Sequence, residues 1–506
     1  MPDIPASTPS CRIAVCQLNP TLGDLDGNIA KALSFAKTAQ GAGADVVFIP
    51  NGCMAGLPYE SLAIEGHPRL GSMDAFQLLA QDFLQAGLGS LQVFLGDDNG
   101  DWPCLDCVEG VELLRIFEGR AELLDSMAVA RQVGALFISA NFRHHDYAHV
   151  LEQTAVLARN TSMPVVLAAL VGGQDARIFE GGSLCLSAEG EVIAKAPLFE
   201  EALMLLETSG GQIRSCDSTP IADTPSPVAR MYESCVLGLR DYVRKNNLGK
   251  VILGLSGGID SALVAAMAAD AIGGENIIGV SMPSPYSSQH SRDDAADTAK
   301  RLGLDYRVIE LAPTFDGFKK AYVFSGLAEE NLQARIRGTI LMGISNAEGG
   351  LVLATGNKSE CAVGYSTIYG DAVGGYAPLV DVLKTQVWEL ARWRNQEAID
   401  NGHTQPIPSS SIDKPPSAEL RPGQLDTDSL PDYELLDPVI EAYVTRNSSL
   451  RQMVKDGFDE ELLRRVIALS LRSEWKRKQY PIGPKVCTGY SLAERDMPVT
   501  NAGQII

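Results

Sequence analysis

The residues best able to do chemistry are Ser256-Gly257-Gly258-Ile259-Asp260-Ser261. They follow a hydrophobic run at 250–255 (KVILGL) and open an alanine-rich stretch at 261–272. That order predicts strand, tight turn, helix. Glycines in such a turn let the backbone approach a phosphate closely. The helix start offers free N–H groups and the positive end of the dipole. The hydroxyls of Ser256 and Ser261 add donors. The lysine of a GxxxxGK[ST] loop is missing. A loop with an aspartate and no lysine suits holding pyrophosphate as a leaving group, with Asp260 on Mg2+. The plain alternative is an ordinary glycine-rich strand–helix turn, and the Ser-Gly-Gly-x-Asp-Ser pattern is more specific than that.

Alternating elements are needed to position this loop. A helix is expected near 229–247, strands at 250–255, 276–282 and 306–311, and helices at 261–272 and 289–302. Strand–helix alternation implies a parallel sheet with its chemistry at the carboxyl ends of the strands. Residues 405–432 are rich in Pro, Ser and Asp and read as a mobile loop over the site. Upstream, strands are expected at 11–17, 45–50, 135–140 and 164–171, a helix at 28–43, and a hairpin at 183–198 turning at Glu189-Gly190. Residues 207–228, dense in Ser, Thr, Pro, Gly and Asp, read as a linker. Three parts follow: 11–206, the linker 207–228, and 229–506.

Bulk properties narrow the function classes. The 506 residues exceed what one core usually supports. A formal charge of −21 argues against a nucleic-acid or anionic-membrane surface. An anionic substrate then needs a local pocket of cations and backbone N–H. The polar N-terminus and the lack of a long uncharged apolar run imply neither a secretory signal nor a membrane span. The scattered cysteines read as reduced cytoplasmic thiols. Cys104 and Cys107 form a CxxC with no second pair, so ordinary structure is the default.

The loop is similar to the PP-loop of the adenine-nucleotide α-hydrolase superfamily, whose members split ATP between the α- and β-phosphates. The loop alone does not choose among them. ENLQARIRG (330–338), LATGNKSECAVGYSTIYGD (353–371), PLVDVLKTQVWELA (378–391), KPPSAELRPGQLDTDSLPDYELLD (414–437) and EWKRKQYPIGPK (474–485) resemble the NAD synthetase family in order and spacing. The resemblance implies a Rossmann-like PP-loop ATP-pyrophosphatase domain over 229–506 and amidation of deamido-NAD+ with ATP and Mg2+. It implies that Gly254, Leu255, Ser256, Gly257, Gly258, Ile259, Asp260 and Ser261 cradle ATP, with Thr355, Lys384 and Ser417 as further ATP contacts. Asp260 and Glu360 match Mg2+ ligands, and Asp260 with Lys384 match the catalytic pair. Asn331, Glu360 and Lys476 match deamido-NAD+ contacts, and Arg337 is a further candidate. Before Tyr369 some members carry lysine where Ile368 stands here. Another PP-loop amidating ligase is the alternative, and a homodimer or higher assembly is implied.

RIAVCQLNPTLGDLDGNIAKAL (12–33), GADVVFIPNGCMAGLPYESL (43–62) and 164–201 resemble the nitrilase-type (carbon-nitrogen hydrolase) glutaminase domain fused to many NAD synthetases. The implied fold is a nitrilase-like α/β sandwich, truncated near 65–130. That family uses a Glu–Lys–Cys triad. Here the base position holds Asn51, which cannot take a thiol proton. No lysine lies between Lys37 and Lys195, and no Cys-Glu-Asp stretch is present, LGDDNGDW (95–102) being the nearest likeness. The expectation is an inactive glutaminase and free ammonia as nitrogen donor. The alternatives are glutamine through a partner glutaminase, or a replacement site built on His144, His145 or His149.

Overall fold

The computed structural model describes residues 11–50, 52–53, 82, 85–88, 92–95, 135–139, 147–209, 212–216, 221–495 and 497–500. Asn51, Cys104, Cys107, His144, His145 and most of 95–102 lie outside the described residues. The chain divides into two compact units: 1–174 with 178–225, and 226–506 with 175–177.

The first unit runs β1 (Cys11–Gln17), α1 (Leu25–Gly41), β2 (Val46–Ile49), β3 (Gln92–Leu95), β4 (Leu136–Ser139), α2 (Tyr147–Thr161), β5 (Val165–Ala168), β6 (Val171–Gln174), β7 (Arg177–Glu180), β8 (Leu184–Leu186), β9 (Val192–Lys195), β10 (Ala202–Ser209) and β11 (Gln212–Ser215). One sheet has the order β11-β10-β1-β2-β3, another the order β4-β5-β8-β9. The two-residue period of a strand sends alternate side chains to opposite faces. Ile13, Val15, Val46 and Phe48 meet Val166, Ala168, Cys185 and Ala194 between the sheets. Ala14, Cys16, Val47 and Ile49 meet Ile29, Ala32, Ala36 and Ala39 of α1 on the outside. Val165, Leu167, Leu184 and Leu186 meet Tyr147 and Ala158 of α2. The layers are helix, sheet, sheet, helix: a nitrilase-like α/β sandwich.

Two local expectations shift. Helix α1 begins at Leu25, because the Asp24 carboxylate caps it by accepting from Gly27 N. Residues 207–215, read as linker from composition, are largely strand. β10 pairs with β1 from Ala202 to Thr208, and its end pairs with β11. Ladder hydrogen bonds and the burial of Leu206 and Ile213 outweigh the polar composition there. The hairpin forms as read, with Gly190 at φ 84°.

The second unit runs α3 (Pro227–Lys245), β12 (Val251–Gly254), α4 (Ile259–Ile272), β13 (Ile277–Ser281), α5 (Gln289–Leu302), β14 (Asp305–Val308), α6 (Ala312–Ala321), α7 (Leu327–Glu348), β15 (Leu351–Val352), α8 (Lys358–Val363), α9 (Lys384–Asp400), α10 (Ser409–Asp413) and α11 (Tyr433–Ile440). Its strands are parallel and ordered β14-β13-β12-β15. The chain moves outward from β12 to β14, then returns to the other side of β12. That reversal is the switch point where open α/β sheets bind ligands. Helix α4 is buried around its whole circumference from Ser261 to Ala268, packing against Cys235 and Leu239 of α3 and Val387 and Leu390 of α9. An all-round apolar helix requires such a place, and its alanines permit close packing. Residues 405–432 are not one passive loop: they include α10 and a short turn at Asp426–Asp428.

A buried ion pair ties the pieces around the switch point. Lys358 Nζ lies 2.9 Å from Asp381 Oδ1, both side chains at most 2% exposed. The same Nζ donates to Thr445 Oγ1 at 2.9 Å. Asp381 Oδ2 accepts from the N–H of Val486 and Cys487 at 2.9 and 2.8 Å. Burial opposes the Lys358 ammonium, and the adjacent Asp381 outweighs it, holding the pKa above the ordinary lysine value. Removing one partner leaves a buried charge alone. Lys358→Met is therefore expected to destabilise the unit by about 3–5 kcal/mol. The midpoint of urea unfolding measures this. Breaking the exposed Arg464–Glu460 pair shifts that midpoint little.

Candidate active site

The loop after β12 and the start of α4 carry the motif. Gly257 takes φ 79°, and a Cβ there would stand 2.1 Å from the Ser291 carbonyl oxygen. Only glycine fits on both counts. The Ser256 and Ser261 hydroxyls lie 3.1 Å apart, Gly258 N donates to Ser256 Oγ at 3.2 Å, and Ser261 Oγ donates to Gly258 O at 3.0 Å. The turn is therefore fixed before any ligand arrives. The N-cap of α4 is Gly258 and no side chain caps the helix. Its first N–H groups and its dipole point into the cavity mouth.

Opposite the loop, Lys384 opens α9. Its side chain is 2% exposed and its Nζ contacts Asp260 Oδ2, with Glu360 Oε1 at 3.8 Å. Nζ also lies 5.7 Å from the Trp388 ring centre and 5.6 Å from that of Tyr433, a cation–π setting. Asn357 fixes both carboxylates. Its Nδ2 donates to Asp260 Oδ1 at 2.9 Å, and it forms a capping box with Glu360 at the start of α8.

Electrostatics follow from this crowding. Burial, then Asp260, push Glu360 well above the ordinary carboxylate value, and Lys384 only partly offsets them. Asp426, accepting from Tyr433 OH at 2.9 Å, is also raised by burial. Burial opposes the Lys384 charge, but Asp260 and Glu360 outweigh it and hold the pKa above the ordinary value. Three carboxylates near one ammonium leave the site short of positive charge. Among the described residues no three acidic, His or Cys side chains form a complete ion cage. Mg2+ usually takes one or two carboxylates and completes its shell with substrate phosphates and water, so Asp260 and Glu360 fit it.

One cavity, about 1580 Å3 with its space open to solvent, gathers most of the residues read from sequence. Gly254, Leu255, Ser256, Gly258, Ile259, Asp260, Ser261, Arg337, Thr355, Glu360, Lys384 and Ser417 all line it. Arg337 donates to Met282 O at 3.1 Å, and burial lowers its pKa to about 10. Gly257, Asn331 and Lys476 do not line it. Asn331 Oδ1 accepts from Thr367 Oγ1 at 2.8 Å, while Lys476 Nζ donates to Gly364 O and Ser366 O at 2.7 Å. Both brace the segment leading to cavity-lining Asp371. Ile368 is buried, and Tyr369 is exposed with its hydroxyl on Gln479. In the first unit, His149 stands exposed on α2.

Residues 414–425 form a flap whose first part, 414–420, lines the cavity. Ser417 Oγ donates to Gln424 O at 2.5 Å, and Gln333 Nε2 from α7 donates to Leu420 O at 3.0 Å. Glu419 sits in left-handed backbone, φ 46°. Its carboxylate accepts from Ser288 and Ser291 hydroxyls at 3.0 and 2.7 Å and from Lys414 Nζ at 2.8 Å. Sequence reading passed over Asn357, Lys414, Glu419 and Asp426. The Asn-x-x-Glu capping pattern at 357–360 was the available signal for the first.

Residues 231–480 match the family model described as NAD synthase. The chain is 37% identical over 542 residues to a glutamine-dependent NAD(+) synthetase of Rhodobacter capsulatus, covering 97% of this chain and 98% of that one. A glutamine-dependent NAD(+) synthetase of Thermotoga maritima is 34% identical, with the same coverage. Among solved structures, a glutamine-dependent NAD+ synthetase of Acinetobacter baumannii in complex with adenosine diphosphate superposes with TM-score 0.67 at 31% identity, over 98% of this chain and 99% of that one. One from Cytophaga hutchinsonii, at 16% identity and TM-score 0.74, shares the fold.

Glu419 makes the flap sensitive to acid. Burial raises its pKa, but bonds from Lys414 and Ser291 bring it net below the ordinary value. A depressed carboxylate contributes fully above its unfolded value and loses that contribution as pH falls through the folded value. Protection of 414–425 from hydrogen exchange, corrected for intrinsic rate, is expected to hold from neutral pH to the ordinary carboxylate range and to drop only below it. Glu419→Gln lowers that protection about tenfold at pH 7, the scale of a charged hydrogen bond.

Proposed function

The chain belongs to the NAD synthase family and is an ATP-using ligase, and from that premise we propose that it amidates deamido-NAD+ with free ammonia, releasing AMP and pyrophosphate. The observation that carries the chemistry is the buried Lys384 held against Asp260 beside an uncapped helix start. Two anions, a nicotinate carboxylate and a triphosphate, have to meet. Lys384, the N–H groups of 257–261 and the hydroxyls of Ser256 and Ser261 stabilise the charge that grows on the phosphates. Carboxylate oxygen bonds the α-phosphorus, pyrophosphate departs, and a nicotinyl adenylate remains. Ammonia then attacks the acyl carbon, AMP leaves, and the surplus proton passes to solvent. No side chain acts as nucleophile, so positioning supplies much of the rate.

Asp260 and Glu360 would hold Mg2+ there. When bound, the ion screens the phosphate charge that those carboxylates would otherwise repel. Thr355 and Ser417 are assigned to ATP. Asn331, Arg337, Glu360 and Lys476 are assigned to deamido-NAD+, Asn331 and Lys476 through the segment they brace.

The nitrogen source is the point at which this chain parts from the names of its relatives. Asn51 in place of the glutamate base, and no lysine between Lys37 and Lys195, support a first unit without glutaminase chemistry. That unit, proposed as 11–206 and completed by the strands that reach Ser215, keeps its sandwich core as a brace or docking body. The segment proposed as the link is what remains of 207–228 after β11, and the synthetase domain is proposed as 229–506. A homodimer through the second unit is part of the proposal, supported by the exposed Phe318, Tyr322, Val323 and Leu327 at the α6–α7 junction. Cytoplasmic residence is supported by the free thiols of Cys11, Cys16, Cys185, Cys235, Cys361 and Cys487. Among the described residues, no helix is long and apolar enough to cross a membrane.

Purified protein given Mg2+-ATP and deamido-NAD+ is expected to form AMP and pyrophosphate with ammonium and to turn over poorly with glutamine. Equal turnover with glutamine refutes the ammonia assignment; ADP as product refutes the adenylate. Lys384→Ala and Asp260→Asn each lower kcat/KM about 100- to 1000-fold, the usual loss for one preorganised stabilising group.

A further inference from the structure

Lys384 and Thr385 begin α9, and the first N–H groups of a helix have no partner within it. The N-cap is Leu383, which has no side-chain oxygen to offer. Partners come instead from two other parts of the chain. Lys384 N donates to Ser359 Oγ at 2.9 Å. Thr385 N and Thr385 Oγ1 both donate to Asp437 Oδ2 at 2.8 Å. Ser359 Oγ in turn donates to Asp437 Oδ1 at 2.5 Å. Asp437 is 2% exposed and Ser359 fully buried. Both oxygens of one carboxylate therefore cap the helix that carries Lys384, one directly and one through a serine hydroxyl. The helix dipole favours a negative group at that place.

Asp437 also shares a helix face with Tyr433, four residues earlier on α11. Tyr433 lies over the Lys384 ammonium and donates to Asp426. One face of α11 thus grips both ends of Lys384, its main chain through Asp437 and its ammonium beside Tyr433. We propose that Asp437 is a positioning residue for the adenylation step: by capping α9 it fixes where the Lys384 ammonium stands relative to Asp260 and the loop. This rests on the role given to Lys384 above. The residue touches no substrate, and its effect passes through Lys384.

Asp437→Asn keeps the volume and removes the second acceptor oxygen. It is expected to lower kcat for AMP formation about 100-fold, the scale of an ångström-sized misplacement, while KM for ATP moves less than about twofold. The decisive readout is a cycle with Lys384→Ala. In that background Asp437→Asn is expected to lower kcat no further, because the group it positions is gone. Equal loss in both backgrounds overturns the proposal, as a merely structural carboxylate acts regardless of Lys384. If Asp437→Asn does not fold, Ser359→Ala carries the same cycle, with about a tenfold loss expected alone and none on top of Lys384→Ala. Wild-type kcat in Asp437→Asn, with Lys384→Ala impaired, overturns this inference alone. Wild-type kcat in Lys384→Ala overturns the role of Lys384 as well.

Discussion

The second unit is organised around a lysine that should not, by itself, be buried. Removing an ammonium from water costs several kcal/mol, recovered only with well-placed anionic partners. Lys384 has Asp260 in contact and Glu360 at 3.8 Å. These partners come from separate stretches: Asp260 from α4, Glu360 from α8. Each must arrive in register, so the sheet, the switch point and the turn at Gly257 answer to one demand. That demand also sets the local field. With three carboxylates around one ammonium, the local field is negative, which is the setting the proposed Mg2+ would relieve.

Much of this was legible before any coordinates. The loop at 254–261 announces itself by composition and place, because the Ser-Gly-Gly-x-Asp-Ser pattern is more specific than an ordinary glycine turn. Strands and helices from 229 to 311 are bounded by strong periodicity and recur within a few residues of their expected limits. Reading failed where long-range pairing decides. At 207–215, polar residues that resemble a linker become strand because β1 pairs with Glu207 and Thr208 and β10 pairs with β11, and composition carries no record of those partners. Glu419 and Asp437 were invisible for a related reason. Each matters through atoms more than seventy residues away along the chain, and a carboxylate in a polar stretch looks like any solvated charge.

The first unit's fold does not depend on the glutaminase chemistry that we propose it lacks. Its stability lies in three apolar layers, packed between the two sheets and under each helix. None of those layers needs a base, a lysine or a thiol nucleophile. Such a core holds together without any reactive group, which is the ordinary separation of site from scaffold.

The Lys358–Asp381 pair has a consequence for shortened chains. Asp381 is satisfied only when the main chain of Val486 and Cys487 reaches it, 105 and 106 residues later. The ground beside Glu360 is thus completed by a segment distant along the chain. A chain that stops before Val486 leaves Asp381 Oδ2 without the two N–H groups from which it accepts. The buried pair is therefore a device that ties two stretches more than a hundred residues apart, and neither stretch alone can complete it.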